Sequence, residues 1–288
     1  MFAVTGASGQ LGRLVVTELL KGTSPGKIVA GAREPSKLAD LAAAGVNVRL
    51  LDYDKPETLG PALEGVKRLL LISGSDISIR LAQHRAVIAA AKAARVEFVA
   101  YTSILHAPTS PLLPAENHRQ TEALFAALGV PGVMLRNAWY LENYTGQIPR
   151  ALESGLMIGS AGEGRISAAL RADYAAAAAA VLLSDENLGG RAFELAADES
   201  FTMDEFAADL TRVSGKTVAY RDMSSDAHLA ALEAAKLPEG AIAFIVPTDR
   251  DIKAGALHDT SGDLSRLIGR PTVSWRQAMA EAVRRTSH

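Results

Sequence analysis

The chain has 288 residues, enough for one large domain or for a main domain with a small companion. Its net charge of -2 at pH 7 lacks the basic excess that a phosphate backbone demands, so we expect no nucleic-acid partner. The sequence contains no cysteine, which excludes disulfides, thiolate metal sites and cysteine nucleophiles. Any redox chemistry must therefore come from a bound cofactor.

The first half of the chain alternates short apolar runs with helical patterns. The runs predict strands at 2–5, 27–32, 46–51, 68–73, 97–103 and 130–136, separated by helices at 10–21, 35–43, from 56, at 77–93 and at 116–127. Alternation at this spacing predicts βαβ units. We therefore expect an α/β fold with a Rossmann-type, doubly wound parallel sheet.

The alternation ends after Arg136. The alanine-rich run from Tyr174 to Leu183 predicts a buried helix, 191–196 predicts one more strand, and the pattern from Ser200 onward is mainly helical. This indicates a smaller, mainly helical C-terminal lobe. We assign 1–137 and 166–199 to a cofactor domain, and 138–165 with 200–288 to a substrate lobe.

No segment of the sequence indicates export or a membrane. The alanine-rich run is far shorter than the roughly 20 residues of a membrane span. Between Met1 and the first predicted strand there is no room for a leader with charged and apolar regions. We expect a cytoplasmic protein that does not associate with membranes.

The segment TGASGQLG places Gly6, Gly9 and Gly12 between the first predicted strand and helix. Glycines here permit a tight turn and let backbone N–H groups approach a pyrophosphate at the positive end of the helix dipole. Ser8 and Gln10 add further donors. A glycine-rich turn without a ligand is the alternative, which the strand–helix placement disfavours. The GxxGxxG spacing resembles the extended and atypical short-chain dehydrogenase/reductase superfamily.

The end of the second strand predicts which dinucleotide binds. An acidic residue there would bind the ribose 2′-hydroxyl, whereas arginine would neutralise a 2′-phosphate. Arg33 ends this strand and Lys37 follows one helical turn later, which favours NADP(H) over NAD(H). Glu34 falls at the start of the next helix, where a carboxylate is normal. A solvated Arg33 is the alternative.

Residues after the third and fourth strands complete the predicted dinucleotide site. Asp52 and Tyr53 are placed beside the adenine, and the backbone of Ser73 and Gly74 against the ribose and phosphates. Both pairs lie at the carboxyl ends of parallel strands, where such sheets bind their ligands.

The tyrosine–lysine pair of a typical short-chain dehydrogenase is missing. None of the six tyrosines is followed by lysine four residues later. This disfavours ketone reduction and favours an acceptor such as a quinone or a cationic dye, which takes a hydride with little help. His118 and Glu122 stand one helical turn apart, either as a proton relay or as a surface pair. The spacing of His84, His228, His258 and His288 predicts no metal site.

With these residues assembled, the chain resembles the NmrA-like branch of the atypical short-chain dehydrogenases. Within that branch it is most similar to the bacterial type 2 NADPH:quinone oxidoreductases, with the triphenylmethane-dye reductases as near neighbours. The resemblance extends over the whole chain and is carried by the segments TGASGQLG, GAREPSKL, LISGS, FVAYTSILHA, LRNAWYLENY and RADYAAAAAAVL.

The resemblance implies an NADPH-binding domain and a cleft in which a quinone stacks near the nicotinamide. It implies cofactor contacts from Gly6, Ser8, Gly9, Gln10, Leu11, Arg33, Asp52, Tyr53, Ser73, Gly74, Tyr101, Thr102 and Ser103. The glycine spacing and the cation after the second strand add Gly12 and Lys37 to the predicted cofactor residues. Asn137, Tyr140 and Asn143 are the implied catalytic residues, and Trp139, Tyr140 and Asn143 border the quinone. Trp139 and Tyr140 as simple packing residues are the alternative. The loop 107–114 is either a pocket rim or an inert surface loop.

We therefore expect direct hydride transfer from NADPH to a quinone or similar conjugated acceptor, without flavin or metal. One alternative is a redox sensor that binds NADP(H) without turnover and regulates partner proteins. Another is a dye or imine reductase. The helices at 77–93 and 116–127 could serve a homodimer contact, because their apolar periodicity does not distinguish subunit contact from sheet contact.

Overall fold

Seven parallel strands form the central sheet of the structure. The computed structural model describes residues 1–286. The strands of the large sheet are β1 (Phe2–Val4), β2 (Ile28–Ala32), β3 (Asn47–Leu50), β4 (Arg68–Leu71), β5 (Phe98–Ile104), β6 (Gly132–Asn137) and β8 (Ala192–Leu195); a small sheet holds β7 (Leu156–Gly159) and β9 (Ala219–Asp222). The order in the large sheet is β3-β2-β1-β4-β5-β6-β8, with every neighbouring pair parallel. The predicted Rossmann-type sheet is confirmed.

Helices cover both faces of this sheet. The helices are α1 (Gln10–Gly22), α2 (Ala39–Ala43), α3 (Leu59–Leu63), α4 (Arg80–Ala93), α5 (Ala115–Leu128), α6 (Glu142–Thr145), α7 (Ile148–Ser154), α8 (Arg171–Leu183), α9 (Met203–Ser214), α10 (Ser225–Ala234), α11 (Glu239–Lys253), α12 (Asp263–Ile268) and α13 (Trp275–Thr286), with 3₁₀ turns at Pro25–Lys27, Pro35–Leu38 and Pro56–Thr58. Helix α4 begins three residues later than predicted, because the Asp76 carboxylate accepts from the backbone N–H of Ser78 at 2.9 Å and holds a turn.

Burial on both faces explains the apolar composition of the strands. All residues of β2 and β5 are buried. On one face, α8 packs against α1, and its small side chains at Ala175, Ala177 and Ala178 are fully buried there. A continuous core can therefore form without alternation of apolar and polar residues along the strands.

The C-terminal lobe has an aromatic core and a small sheet of its own. Phe201, Phe206 and Trp275 pack with ring centroids 5.2 to 6.0 Å apart. Helix α9 begins with a capping box in which the Thr202 hydroxyl and the Glu205 carboxylate each accept from the other residue's backbone N–H. The parallel pairing of β7 with β9 was not predicted, since a mainly helical lobe was expected.

The division into a cofactor domain and a substrate lobe stays a prediction. Within the region assigned to the substrate lobe, α12 packs against α8, and its Leu264 belongs to the core of the large sheet. No helix in residues 1–286 is long and apolar enough to cross a membrane. The predicted homodimer and cytoplasmic location stay predictions.

Candidate active site

At the glycine turn after β1, the backbone at the start of α1 packs directly against the backbone that follows the strand. Gly6 adopts φ +56°, a conformation that residues with a Cβ rarely adopt, and its carbonyl accepts from the Gly9 N–H at 2.9 Å. A Cβ at Gly12 would lie 2.8 Å from the Ala7 Cα and closer still to the Gly6 carbonyl oxygen. Glycine at position 12 therefore sets how closely α1 approaches the strand.

The start of α1 suits an anionic group. Gly9 is the N-cap residue, and no side chain caps the helix within residues 1–286. The first N–H groups of a 13-residue helix are thus available to a ligand at its positive end. A pyrophosphate fits this turn because it accepts from backbone N–H groups that have no partner inside the helix.

A cavity of about 490 Å³ opens beside this turn at the carboxyl ends of β1 to β4. Predicted cofactor residues that line it are Gly6, Ser8, Gly9, Arg33, Asp52, Tyr53, Ser73 and Gly74. Asp54, Ile79 and Gln83 also line it and were not among the predicted residues. The neighbours β1 and β4 are where the strand order reverses, the position at which such sheets bind ligands.

The two predicted cations differ in their surroundings. Lys37 lies 2.7 Å from the Glu34 carboxylate in an exposed ion pair and does not line the cavity. This pair lowers the pKa of Glu34. Arg33 lines the cavity, is exposed, and forms no ion pair with any residue in the described range. Arg33 is therefore the cation available to a phosphate.

A second cavity of about 190 Å³ continues from the first. Its lining includes the predicted residues Ser73, Thr102, Ser103, Asn137, Trp139, Tyr140 and Asn143, together with Arg80, Pro114 and His118. Ser73 lines both cavities, so they form one cleft along the sheet edge. The backbone N–H of Ser73 donates to the Thr102 hydroxyl at 2.8 Å, which ties the two cavities together.

Asn137 lines this cleft and carries an acceptor that has no partner in the described structure. Its side chain is buried, and its Oδ1 has no hydrogen-bond partner in the described structure. Buried polar atoms in native proteins are usually paired, and this oxygen is closed off from the cavity, so a bound molecule reaches it only when the Asn137 side chain turns. Asn137 ends β6, at the same sheet edge as the glycine turn.

Two aromatic residues form one wall of the second cavity. Trp139 stacks on Phe244 of α11, with centroids 6.1 Å and planes 6° apart. The Arg171 guanidinium lies 4.2 Å from the centre of the Tyr140 ring. Burial raises the pKa of Tyr140, which Arg171 opposes in part, so its hydroxyl carries its proton at neutral pH. These residues line the cavity as well as packing.

Arg80 is a buried cation that the sequence argument missed. It is 6% exposed, and its Nε donates to the Gly74 carbonyl at 2.6 Å. Within residues 1–286 it forms no ion pair; the acid whose charge it senses, Asp76, is exposed. The available signal was its position on α4, where Arg80, His84, Val87 and Ile88 share the buried face at helical spacing.

His118 belongs to the Arg80 network and not to a pair with Glu122. Its Nε2 lies 3.4 Å from Arg80 Nη1, and its Nδ1 lies 2.7 Å from the Tyr101 hydroxyl. Glu122 instead accepts from Arg136 at 2.7 Å and from Ser103 at 2.6 Å. Both earlier interpretations were wrong, because α5 turns His118 into the cleft wall and Glu122 toward β6. Burial and the Arg80 charge lower the pKa of His118 to about 3.

His84 forms a hydrogen bond with the loop that follows β4. Its Nε2 accepts from the Gly74 N–H at 3.1 Å, and its Nδ1 lies 3.0 Å from the Thr121 hydroxyl, which donates to the Asn117 carbonyl. Since Nε2 accepts, Nδ1 carries the proton. Burial lowers the pKa of His84 to about 3.

Some predicted contacts lie outside the cleft. Gln10, Leu11, Gly12, Lys37 and Tyr101 line neither cavity. Tyr101 is fully buried, with its hydroxyl on His118. Of the loop 107–114, only Pro114 lines the second cavity. Residues 1–286 contain no group of three or more metal-binding side chains, and His288 lies outside the described residues.

Comparison with known proteins agrees with this geometry. A family model described as NAD(P)H-binding matches residues 6–184. Quinone oxidoreductase 2 of Escherichia coli is 47% identical over 280 residues, 97% of this chain and 98% of the relative.

Two solved structures are similar over their whole length. The structure of an NADPH-dependent quinone oxidoreductase from Escherichia coli in complex with NADPH has a TM-score of 0.94 at 47% identity and covers 100% of both chains. Triphenylmethane reductase of Citrobacter sp. in complex with NADP(H) has a TM-score of 0.92 at 35% identity, over 98% of this chain and 100% of the other. The chain therefore belongs to the NAD(P)H-binding family that these reductases represent.

Proposed function

We propose that the protein is an NADPH-dependent quinone reductase that passes a hydride to a quinone or a similar conjugated acceptor. The observation that carries the proposal is the continuous cleft in which Ser73 joins the glycine-turn cavity to the cavity walled by Trp139 and Tyr140. The 47% identity to an Escherichia coli quinone oxidoreductase over nearly the full length supports the same acceptor class.

The cofactor end of the cleft selects NADPH. The first turn of α1 holds the pyrophosphate, and the unpaired Arg33 meets a 2′-phosphate, since guanidinium and phosphate form paired charge-assisted hydrogen bonds. When bound, NADPH supplies a hydride. The Asn137 side chain lines the cavity and helps to fix the orientation of the bound molecules.

The acceptor end of the cleft supplies orientation and charge. Trp139, Tyr140 and Asn143 border the acceptor, and a planar quinone packs on the aromatic wall. A quinone that gains a hydride becomes an anion until it takes a proton. Arg80 lies on the cavity wall as a desolvated cation and stabilises that anion more strongly than the neutral quinone. Water or the protonated Tyr140 hydroxyl supplies the proton.

Dye reduction is a second candidate, because the Citrobacter triphenylmethane reductase shares the fold at 35% identity. Arg80 decides between the two acceptors. A buried cation repels a cationic dye, whereas it attracts the charge that develops on a quinone. The cleft therefore favours quinones.

NADPH oxidation by the purified protein with a small quinone tests the function. We expect rapid turnover with NADPH, slower turnover with NADH, and lower activity on a cationic triphenylmethane dye. Tight NADPH binding with no turnover on either acceptor would contradict the reductase and favour the redox sensor. Faster turnover on the dye than on the quinone would favour the dye reductase.

A further inference from the structure

A separate cavity of about 350 Å³ lies in the C-terminal lobe. It shares no lining residue with the cleft. Its walls come from α7, β7, α10 and α11 and are mostly apolar; they include Leu156, Met157, Ile166, Leu232, Ile245 and Ile252. The volume is within the range of about 300–1,000 Å³ that is usual for small-molecule sites.

A buried polar cluster faces this apolar space, while Gln147 and Arg150 line its exposed edge. His228 and Asp249 line the cavity, and the His228 side chain is 2% exposed. The Asp249 carboxylate accepts from the Ser160 backbone N–H at 2.8 Å. His228 Nδ1 lies 3.3 Å from this carboxylate and 3.1 Å from the Ser160 hydroxyl.

These three residues do not form a hydrolytic triad. In a triad, serine and the carboxylate contact opposite nitrogens of the imidazole. Here both contact Nδ1, and the Ser160 side chain is itself buried. The arrangement therefore holds the ring in place and does not activate a nucleophile.

The cluster leaves one nitrogen for a ligand. The Ser160 hydroxyl hydrogen-bonds to the Asp249 carboxylate, so its oxygen accepts from Nδ1–H, and in this tautomer Nε2 is an acceptor. Nε2 makes no hydrogen bond within residues 1–286, and it is not among the fully buried unpaired atoms, so it reaches the cavity space. A hydroxyl proton is the matching group.

Glycine at position 159 leaves room for this polar cluster. A Cβ at Gly159 would lie 2.5 Å from the Tyr220 hydroxyl oxygen and 3.0 Å from Asp249 Oδ2. The Tyr220 hydroxyl also accepts from the Ala161 N–H at 3.3 Å. Because Gly159 has no side chain, β7 lies close to Tyr220 and Asp249.

We propose that this cavity is a second binding site for a small neutral molecule with an apolar body and a phenolic or alcoholic hydroxyl. The apolar walls bury the body, and the hydroxyl donates to His228 Nε2. The charged residues that line the cavity are Asp249 beside the ring and Arg150 at the exposed edge; their charges offset each other, so a neutral hydroxyl is the matching head group. The proposal does not depend on quinone reduction.

Calorimetric titration of the protein with 4-propylphenol tests the site. The titration is made in saturating NADP⁺, with 4-propylanisole as the matched ligand that lacks the hydroxyl proton. We expect one phenol site, and about tenfold weaker binding of the anisole, because a lost hydrogen bond to a buried group is worth roughly 1–1.5 kcal/mol. Equal affinities, or no binding of the phenol up to its solubility limit, would overturn the proposal.

Two tryptophan variants locate the binding. Leu237 lines the cavity and is half-buried, so Leu237→Trp fills the space from its edge without removing the polar cluster. Leu229 is 37% exposed on α10 and does not line the cavity, which makes Leu229→Trp the matched control. We expect Leu237→Trp to weaken phenol binding at least tenfold and Leu229→Trp to leave it unchanged. Phenol binding that survives Leu237→Trp places the molecule elsewhere and refutes the site.

Discussion

The guanidinium of Arg80 lies 3.4 Å from His118 Nε2 on the wall of the cleft, and both side chains are buried. Burial and Arg80 together keep His118 neutral, since they lower its pKa to about 3. The pair therefore brings one net positive charge to the second cavity. This charge has no acidic partner within residues 1–286, although an unpaired buried charge destabilises a fold.

Removing this charge should change the reduction of quinones and the reduction of cationic dyes to different extents. The Arg80→Gln variant keeps a hydrogen-bond donor but no charge, so kcat for a quinone should fall by about tenfold to a hundredfold. A cationic dye is repelled by Arg80 when it binds, so its kcat/KM should fall less than that of the quinone or rise. Steady-state rates with both acceptors measure the difference.

Arg80 also holds the Gly74 carbonyl, so a purely structural effect needs a control. Arg80→Lys keeps the charge and should recover part of the quinone rate, with NADPH affinity close to wild type. Equal losses of kcat/KM for quinone and dye would show that Arg80 only positions the loop after β4.

Coenzyme preference should depend on Arg33 more than on Lys37. Arg33→Ala removes the unpaired cation in the cavity and should raise KM for NADPH by about tenfold or more, because a charge-assisted hydrogen bond is worth roughly 1.5–3 kcal/mol. KM for NADH should change little. Lys37→Ala is the matched variant, and its effect should be smaller since Lys37 already pairs with Glu34. An equal loss of NADH affinity in Arg33→Ala would refute the 2′-phosphate role.

Local sequence patterns were enough to place the glycine turn, Arg33 and Ser73 at one edge of the sheet, where the structure has them. The glycine turn, Arg33 and Ser73 each follow directly on a strand, so their position depends only on the strand ending where it does. The family and fold predictions are confirmed for the same reason. The strand–glycine–helix pattern is continuous in the chain and needs no long-range contact to be recognised.

Features that depend on distant contacts were missed. The pairing of Leu156 in β7 with Ala219 in β9 joins two four-residue strands far apart in the chain, and neither is long enough to show a period. Arg80 and His118 lie on different helices, and only tertiary packing makes them neighbours. The predicted pairing of His118 with Glu122 was wrong because helical spacing shows which residues lie near each other on one helix but not the direction that each side chain takes.

Close backbone contact at Gly12 should make this position intolerant of alanine. The added Cβ of Gly12→Ala would meet backbone atoms of Gly6 and Ala7, so α1 must shift. We expect a loss of about 1–3 kcal/mol in unfolding free energy and weaker NADPH binding. Chemical denaturation and NADPH titration measure the two effects.

Gly60 gives the matched alanine variant. It lies in α3, and an added Cβ there would contact nothing within 4 Å. Gly60→Ala should leave NADPH binding unchanged and stabilise the fold by about 0.4–1 kcal/mol, because alanine restricts the unfolded chain. Similar behaviour of the two variants would mean that the turn adapts to a side chain at position 12.

Asn137 should lower the stability of the unliganded protein and strengthen the binding of NADPH. Asn137→Leu removes a buried acceptor without a partner, so the unliganded protein should keep or gain stability. The rise in Tm caused by NADPH should shrink, because the bound molecules lose their partner. Asn117 Oδ1 is also unpaired but lies outside both cavities, so Asn117→Leu should keep the full NADPH effect. A full effect in Asn137→Leu would exclude Asn137 from binding.

Acid should destabilise the protein through the two buried histidines whose pKa is lowered, His84 and His118, and His84 allows a direct test. Its pKa is lowered from 6.5 to about 3 in the folded protein, mainly by burial. The unfolded chain therefore takes up the proton first, and the free energy of unfolding falls as the pH is lowered from 6.5 toward about 3. Between about pH 7 and pH 5 this amounts to about 2 kcal/mol for each such histidine.

Urea denaturation at these two pH values measures the effect. His84→Gln keeps an acceptor for the Gly74 N–H but does not titrate, so its stability should fall by about 2 kcal/mol less than that of wild type. His258→Gln, at an exposed position, should keep the wild-type difference. If His84→Gln instead loses as much stability between the two pH values as wild type, His84 already binds its proton in the folded protein. The hydrogen bond from Gly74 to a neutral ring would then be wrong.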